Sequence, residues 1–186
     1  MSKSSIRTLI DPGFARGDGF SGKASEGVHP VNMQHVHLAH GLALHEDRVL
    51  LVASRYVGYP NGLWNLPGGR QEPGELLQET VAREIFEETS IRARCGDLAY
   101  VNESYDRDRH IIAAIFRVDV EGRDVRIPAV GDHVVAAAWV ALERIGDLAM
   151  AEIVRRPLLA YLRGDATRYY GTAQADISVE WEPEDR

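Results

Sequence analysis

The stretch GGRQEPGELLQETVAREIFEETSI, residues 68 to 91, joins a glycine-rich turn to an acidic helical pattern. It contains six glutamates and two arginines, and two of the glutamates, Glu87 and Glu88, are adjacent. Pro73 and Gly74 precede the pattern, so the helix is predicted to begin at about Glu75. A helix with this much negative charge needs a physical reason to fold against a core.

Two glutamates of the predicted helix share a face with its apolar residues. At about 100° per residue, Glu84 and Glu88 fall on the same side as Leu77, Val81 and Ile85. Ionised carboxylates at the edge of a core are unfavourable unless a cation meets them, and like charges three or four residues apart destabilise a helix. A solvated acidic face is one interpretation. The shared face favours a second interpretation, a divalent cation site.

The chemistry of the stretch indicates which ligands such a site would take. Carboxylate oxygens suit Mg²⁺ or Mn²⁺, and Mg²⁺ typically combines a few carboxylates with water and phosphate oxygens. Gly68, Gly69 and Gly74 allow a sharp turn and a close approach of backbone amides to an anion. The sequence therefore predicts a loop and helix that hold a metal ion and a diphosphate group together.

Length, charge and cysteine content bound the class of protein. A chain of 186 residues predicts one domain with extensions, and its apolar runs are too short to predict a membrane span. The net charge of −7 argues against binding along duplex nucleic acid, which requires a basic face. One cysteine, Cys95, and an N-terminus without the pattern of a signal peptide predict a cytoplasmic location.

The pattern along the chain predicts three regions. Residues 1–33 are rich in Gly, Ser and charge, which predicts an arm that is flexible or pairs with a second subunit. Residues 34–163 alternate strand-like and helical runs, which predicts an α/β fold with a mixed β-sheet between helices. Within them, two β-rich runs over residues 35–55 are separated by His45, Glu46 and Asp47, which predicts a hairpin. Residues 56–69 are predicted to form a loop, and Pro157 is predicted to open a helix. Residues 164–186 predict a C-terminal tail.

The acidic stretch resembles the signature of the Nudix hydrolases. That signature runs from a glycine through a glutamate and an Arg-Glu pair to two adjacent glutamates, a final glycine and an aliphatic residue. The positions that match at the right spacing are Gly69, Glu75, Arg83, Glu84, Ile85, Glu87, Glu88 and Ile91. Ser90 stands where the family has its final glycine, which ends the helix in a left-handed conformation. Serine there predicts local strain without loss of an acidic residue.

The resemblance implies the Nudix fold, an α/β/α sandwich, over about residues 35 to 163. It also implies cleavage of the diphosphate linkage in a nucleoside diphosphate derivative, by water attack on phosphorus with Mg²⁺ or Mn²⁺ as cofactor. By that match Glu75 helps to hold the metal or its water, and Arg83 orients a glutamate. The implied sets are Glu75, Arg83 and Glu88 as catalytic residues, Glu84, Glu87 and Glu88 as metal ligands, and Gly68, Gly69 and Arg70 as substrate-binding residues.

The general base of such a reaction lies outside the signature in many members of the family. The segment just before Trp139 has no acid where these enzymes often place one. Asp132 is the nearest acid upstream, and Glu103 is the other candidate, while each also fits a solvated loop acid.

Four further residues could meet a substrate. Tyr56 and Trp64 flank the glycine-rich loop and could stack on a base, although packing beneath that loop is the preferred interpretation for Trp64. Arg107 and Arg109 could bind phosphate oxygens, or could belong to a solvated turn.

Two functional classes stay open at this level. One is a metal-dependent hydrolase, for which ADP-ribose or another nucleotide sugar is the expected substrate. The N-terminal arm could complete a neighbour's site, which would make the protein a homodimer. The other is a Nudix-like module that binds a nucleotide or regulates a partner without turnover, which Ser90 and the missing acid before Trp139 favour. An isomerase is disfavoured, because the extra acid and thiol that it would need are not found.

Overall fold

The structure, a computed structural model, describes residues 33–56, 59–105, 108–127 and 133–173. The strands are β1 (Gln34–His45), β2 (Arg48–Tyr56), β3 (Tyr59–Asn65), β4 (Gly68–Arg70), β5 (Arg92–Tyr105), β6 (Arg109–Glu121), β7 (Val134–Ala141) and β8 (Tyr169–Thr172). The helices are α1 (Leu77–Thr89) and α2 (Glu152–Leu162), and a 3₁₀ helix covers Leu142–Asp147. Residues 1–32, which include nearly all of the predicted arm, and the candidates Arg107 and Asp132 lie outside the described residues.

The strands form a mixed sheet in the order β3-β2-β1-β6-β5-β8, with β4 paired to β1 and β7 paired to β2. β1 and β2 form the predicted antiparallel hairpin, with Leu44 opposite Val49. β1 runs parallel to β6, and β5 runs parallel to β8, which lies within the segment predicted as a C-terminal tail. Because parallel and antiparallel pairs coexist, the predicted mixed sheet is confirmed.

Apolar side chains hold one helix on each face of the sheet. α1 contributes Val81 and Ile85, both fully buried, to the cluster on the first face. α2 contributes Leu158, which packs in the cluster that contains Tyr100 of β5 on the opposite face. The sheet lies between the helices, so the predicted α/β/α arrangement is confirmed. Among the described residues, no helix is long and apolar enough to cross a membrane.

The loop predicted for residues 56–69 is wrong over most of its length. β3 pairs antiparallel with β2, placing Trp64 opposite Ala53, and β4 pairs with β1, placing Gly69 opposite Ala39. Glycine and proline made this segment look like a loop. β3 is the first strand in the sheet order, and an edge strand tolerates Pro60 because one side of it needs no ladder donor.

Pro157 lies inside α2, so the prediction that it opens a helix is wrong. A proline in a helix interior leaves the carbonyl four residues earlier without its N–H donor. Here that carbonyl is Ile153 O, and the side chain of Asn102 donates to it from Nδ2 at 2.7 Å. A side chain of β5 therefore replaces the missing helical hydrogen bond, and α2 continues through the proline.

A backbone N–H makes a hydrogen bond at each end of α1, to a side chain at the start and to a backbone carbonyl at the end. The helix begins at Leu77, two residues later than predicted, and Leu76 N donates to Glu79 Oε2 at 2.8 Å. At the other end Ser90 adopts the left-handed conformation, with φ of 59° and ψ of 15°, and its N–H donates to Phe86 O at 2.8 Å. Serine thus takes the conformation of the glycine that it replaces in the Nudix signature.

Ser90→Gly is expected to stabilise the protein by about 0.5–1 kcal/mol. The left-handed conformation is unfavourable for a residue with a Cβ, by about 1–2 kcal/mol, while glycine loses part of this gain through its greater freedom when unfolded. The urea midpoint should rise and hydrolysis should be unchanged, since Ser90 is exposed at the end of the helix. A lower midpoint would show that the serine is not strained.

Candidate active site

Arg83 is the point at which three glutamates of the acidic stretch meet. Its Nε lies 2.7 Å from Glu75 Oε1, and its Nη2 lies 3.0 Å from Glu75 Oε2, a bidentate pair. Its Nη1 donates to Glu84 Oε1 at 2.9 Å and to Glu87 Oε2 at 3.1 Å. Nη2 also donates to Arg70 O at 3.2 Å, so the guanidinium ties α1 to the end of β4.

Glu88 is the buried acid of the helix. It is 4% exposed, and its Oε2 accepts a hydrogen bond from Gly68 N at 2.8 Å. The helical phase predicted from the sequence is therefore confirmed, because Glu88 lies with Val81 and Ile85 on the buried face. The glycine turn supplies this carboxylate with a backbone donor.

Gly68 and Gly69 lie close to neighbouring residues. A Cβ on Gly69 would lie 2.4 Å from Glu84 Oε1, so that carboxylate would have to shift. Gly68 has a φ of +147°, and a Cβ there would lie 2.3 Å from Ala39 O and 2.7 Å from His40 Nδ1. The turn is thus pressed between the acidic helix and β1.

The residues present fit a divalent cation by their donor chemistry. Glu84 and Glu87 reach the same guanidinium nitrogen from neighbouring turns, and their oxygens are the hard ligands that such ions prefer. In the part of the chain that is described, no three acidic, histidine or cysteine side chains are placed as a group that could hold a metal ion. Arg83 holds Glu84 and Glu87 together, so the fit to a cation rests on the chemistry of their oxygens.

The arginine also changes the acidity of Glu75. Hydrogen bonds from Arg83 lower the pKa of the Glu75 carboxyl from 4.5 to about 2, with further help from Glu72 N and the Thr80 hydroxyl. The same hydrogen bond raises the pKa of Arg83. Glu75 therefore stays ionised across the physiological range.

Glu75→Gln is expected to reduce the acid sensitivity of the fold. A carboxyl whose pKa is lower in the folded state contributes stability above its ordinary value of 4.5, and that contribution is lost as the pH falls towards 2. Urea midpoints, measured with chelator between about pH 5 and pH 2.5, should fall more steeply for the wild type than for the variant. Parallel curves would contradict the Arg83–Glu75 pairing.

A cavity of about 170 Å³ opens on the α2 face of the sheet, beside the glycine turn. Its wall is mainly apolar and aromatic, with Trp64, Leu66 and Tyr100 among its residues. Tyr56 and Arg109, both predicted as possible substrate contacts, also line it. Burial, and then the charge of Glu88, raises the pKa of the Tyr56 hydroxyl, which shows that this cavity residue lies near the buried acid.

His40 lies between the cavity and the Gly68 amide that binds Glu88. The sequence did not predict this role. His40 lines the cavity, contacts the Gly68 backbone that binds Glu88, and places Nδ1 3.1 Å from Leu66 O. Burial lowers its pKa to about 4, so the imidazole is neutral at physiological pH. A histidine in a β-rich run has no local signal for this role, because Leu66 and Gly68 approach it only in the folded chain.

Glu103, one of the candidate bases, lies on β5 opposite Ile112 of β6. Its Oε2 accepts from the Tyr169 hydroxyl at 2.5 Å, and its Oε1 lies 2.5 Å from His110 Nε2. Hydrogen bonds from Tyr169 and then His110 lower the pKa of Glu103. Both its oxygens are thus engaged within the protein.

Comparison with known proteins identifies the family. The family model described as NUDIX domain matches residues 35–162, which include the acidic stretch, the glycine turn and most of the cavity wall. The chain belongs to the Nudix family. The family match supports assignment as a Nudix pyrophosphohydrolase.

Two curated relatives and one solved structure define what this Nudix chain is similar to. It is 33% identical to a MutT-like protein of Streptomyces ambofaciens over 124 residues, 67% of this chain and 75% of the relative. It is 33% identical to an ADP-ribose pyrophosphatase of Methanocaldococcus jannaschii over 111 residues, 59% of this chain and 63% of the relative. The structure of a MutT protein from Methanosarcina mazei Go1 aligns with a TM-score of 0.61 and 28% identity, over 73% of this chain and 98% of that one.

The structure brings together most of the residues that the Nudix signature singles out. Glu75, Glu84 and Glu87 meet at Arg83, and Glu88 meets Gly68. Gly69 packs on Glu84. The Arg70 carbonyl accepts from Arg83, while the Arg70 side chain is exposed. Glu103 is bound by Tyr169 and His110.

Proposed function

We propose that this Nudix protein is a Mg²⁺-dependent hydrolase of nucleoside diphosphate derivatives, with ADP-ribose or another nucleotide sugar as its substrate. The observation that carries the proposal is the continuity of two sites. Gly68 binds the buried acid Glu88 through its amide and packs against His40, which lines the cavity. A substrate can therefore place its diphosphate over the acidic helix and its nucleoside in the cavity.

The acidic side would handle the diphosphate. We assign Glu84, Glu87 and Glu88 as the residues that hold Mg²⁺, with Mn²⁺ as an alternative, and Glu75 as a further acid of the same network. When bound, the ion supplies charge neutralisation for the diphosphate and lowers the pKa of the attacking water. Arg83 keeps Glu75, Glu84 and Glu87 oriented, and the glycine turn lets the backbone come close to the phosphate oxygens.

The cavity side would handle the nucleoside. Its apolar walls and the rings of Tyr56 and Trp64 suit a flat base, which buries its faces on aromatic and aliphatic carbon. Arg109 at the same wall is a candidate for contact with the ribose or a phosphate. The relative named as an ADP-ribose pyrophosphatase supports the choice of nucleotide sugar.

The two candidate bases are not equal. A general base works best when its pKa lies near the working pH. Hydrogen bonds from Tyr169 and His110 lower the pKa of Glu103, away from that range. Glu103 is therefore the weaker candidate. Asp132 lies outside the described residues and is the candidate that we would substitute first.

Hydrolysis of a substrate panel tests the proposal. Nucleotide sugars, dinucleotides and nucleoside triphosphates would be incubated with full-length protein and Mg²⁺, Mn²⁺ or chelator, and phosphorus-containing products would be quantified. Metal-dependent release of a nucleoside monophosphate from ADP-ribose or a nucleotide sugar is the expected result. Preferential hydrolysis of triphosphates would contradict the substrate class, and metal-independent hydrolysis would contradict the mechanism.

The alternative is a module that binds a nucleotide without turnover. One of its two supports is weakened, because Ser90 ends α1 in the conformation expected of glycine. The missing acid before Trp139 is the support that stays. Tight nucleotide binding with no hydrolysis of any panel member would favour this alternative. The homodimer and the cytoplasmic location stay predictions. The homodimer was inferred from the N-terminal arm, and residues 1–32 of that arm lie outside the described residues.

A further inference from the structure

His40 offers the cavity a hydrogen-bond acceptor whose orientation is determined by the fold. Nδ1 lies 3.1 Å from Leu66 O, and a carbonyl oxygen can only accept, so Nδ1 carries the proton. In a neutral imidazole the other nitrogen, Nε2, then has a free lone pair. The polar atom that this side chain has left for a ligand is therefore an acceptor.

Asn102 provides a second acceptor on the same wall. Its Nδ2 donates to Ile153 O at 2.7 Å, which excludes the flipped amide because two oxygens would then face each other. Its Oδ1 is buried and has no hydrogen-bond partner among the described residues. A buried acceptor without a donor is unfavourable, and a ligand N–H that reached it would relieve that.

Pro157 is the reason why the Asn102 amide is oriented in this way. Because proline has no N–H, Ile153 O lacks its helical donor and takes one from Asn102 instead. Asn102 and Ile153 both line the cavity. The orientation of Oδ1 is thus a consequence of a proline in α2.

Asn65 adds a donor to this wall. Asn65 Oδ1 accepts from Leu66 N at 2.8 Å, so its Nδ2 is a donor, and Asn65 also lines the cavity. A complementary base needs an amino group for the acceptors and a ring nitrogen for the donor. Adenine has both, whereas hypoxanthine has an oxygen in place of the amino group.

We infer that His40 and Asn102 are specificity-determining residues, and that their acceptors select a base with an exocyclic amino group over its oxo counterpart. This inference rests on the proposed function, in which the cavity holds the nucleoside. An oxo base would place an oxygen against an acceptor and leave both without a donor, so the oxo nucleotide should bind roughly tenfold to hundredfold more weakly.

Binding of AMP and IMP to the full-length protein tests the inference. Calorimetry measures both affinities without turnover, and hydrolysis of ADP-ribose is measured in parallel. The wild type should prefer AMP by roughly tenfold to hundredfold. Equal affinities, a preference for IMP, or no binding of either nucleotide would overturn the inference.

Two variants separate recognition from structure. His40→Asn keeps a side-chain N–H that can donate to Leu66 O but removes the Nε2 acceptor. Asn102→Leu removes Oδ1, and combining it with Pro157→Ala restores a backbone donor for Ile153 O, so that α2 keeps its hydrogen bond. Each should reduce the preference for AMP over IMP towards equality, while Pro157→Ala alone should keep it.

The outcomes distinguish this inference from the proposed function. If ADP-ribose is hydrolysed but neither variant changes the preference for AMP, the proposed hydrolase stands. The roles of His40 and Asn102 in base selection are then overturned. Absence of hydrolysis, with a preference for AMP that both variants remove, would support the inference and overturn the hydrolase. Thermal unfolding of each variant checks that a lost preference is not a lost fold.

Discussion

Glu88→Gln is expected to lower metal-dependent hydrolysis by at least about a hundredfold and to leave the fold intact. Glu88 is buried, and its Oε2 accepts from Gly68 N at the junction of the acidic helix and the cavity. A glutamine oxygen can still accept that hydrogen bond, so the turn should keep its position. The substitution removes the negative charge that the proposed metal site needs.

Glu79→Gln is the matched control for this prediction. It makes the same chemical change in the same helix, and the Glu79 carboxylate also accepts one backbone N–H, from Leu76 at 2.8 Å. Glu79 is exposed at the first turn and contacts neither Arg83 nor Gly68 among the described contacts. Hydrolysis should stay within about twofold of the wild type. Equal losses in both variants would refute the assignment of the buried acid to the metal site.

Arg83→Ala is expected to lower hydrolysis by roughly tenfold to hundredfold and to lower stability in chelator. The guanidinium is the shared partner of Glu75, Glu84 and Glu87, with distances of 2.7, 2.9 and 3.1 Å. Without it the three carboxylates repel one another, and each loses its orientation. Mg²⁺ should restore part of the lost stability, because the cation then offsets the repulsion between the carboxylates.

Arg94→Ala is the control for the loss of an arginine ion pair. Arg94 pairs with Asp119 at 3.3 Å, and both side chains are more than 80% exposed. Exposed pairs contribute little, about 0–1 kcal/mol. kcat/KM and urea midpoints would be compared for both variants, with and without Mg²⁺. If the two substitutions had the same effect, Arg83 would be an ordinary surface arginine.

The sequence by itself determined the features that depend on local spacing. The helical period placed Glu88 on the buried face of α1, and the structure places it there with 4% exposure. The β1–β2 hairpin and the Nudix signature were equally visible, because a strand, a turn and a helix each repeat within a few residues. Ser90, which departs from the signature, still ends the helix, since a single residue can adopt the left-handed conformation.

Only the tertiary structure decided the features that join distant parts of the chain. β3 and β4 were predicted as a loop, because their strand conformation comes from pairing with β2 and β1 and not from their own residues. Pro157 was predicted to start a helix because proline removes a helical donor. In the folded chain Asn102 of β5 supplies that donor to Ile153 O. The role of His40 likewise depends on Leu66 and Gly68, which reach it through strand pairing. Hydrogen bonds between residues far apart in sequence leave no local periodicity, so no pattern in the chain could predict them.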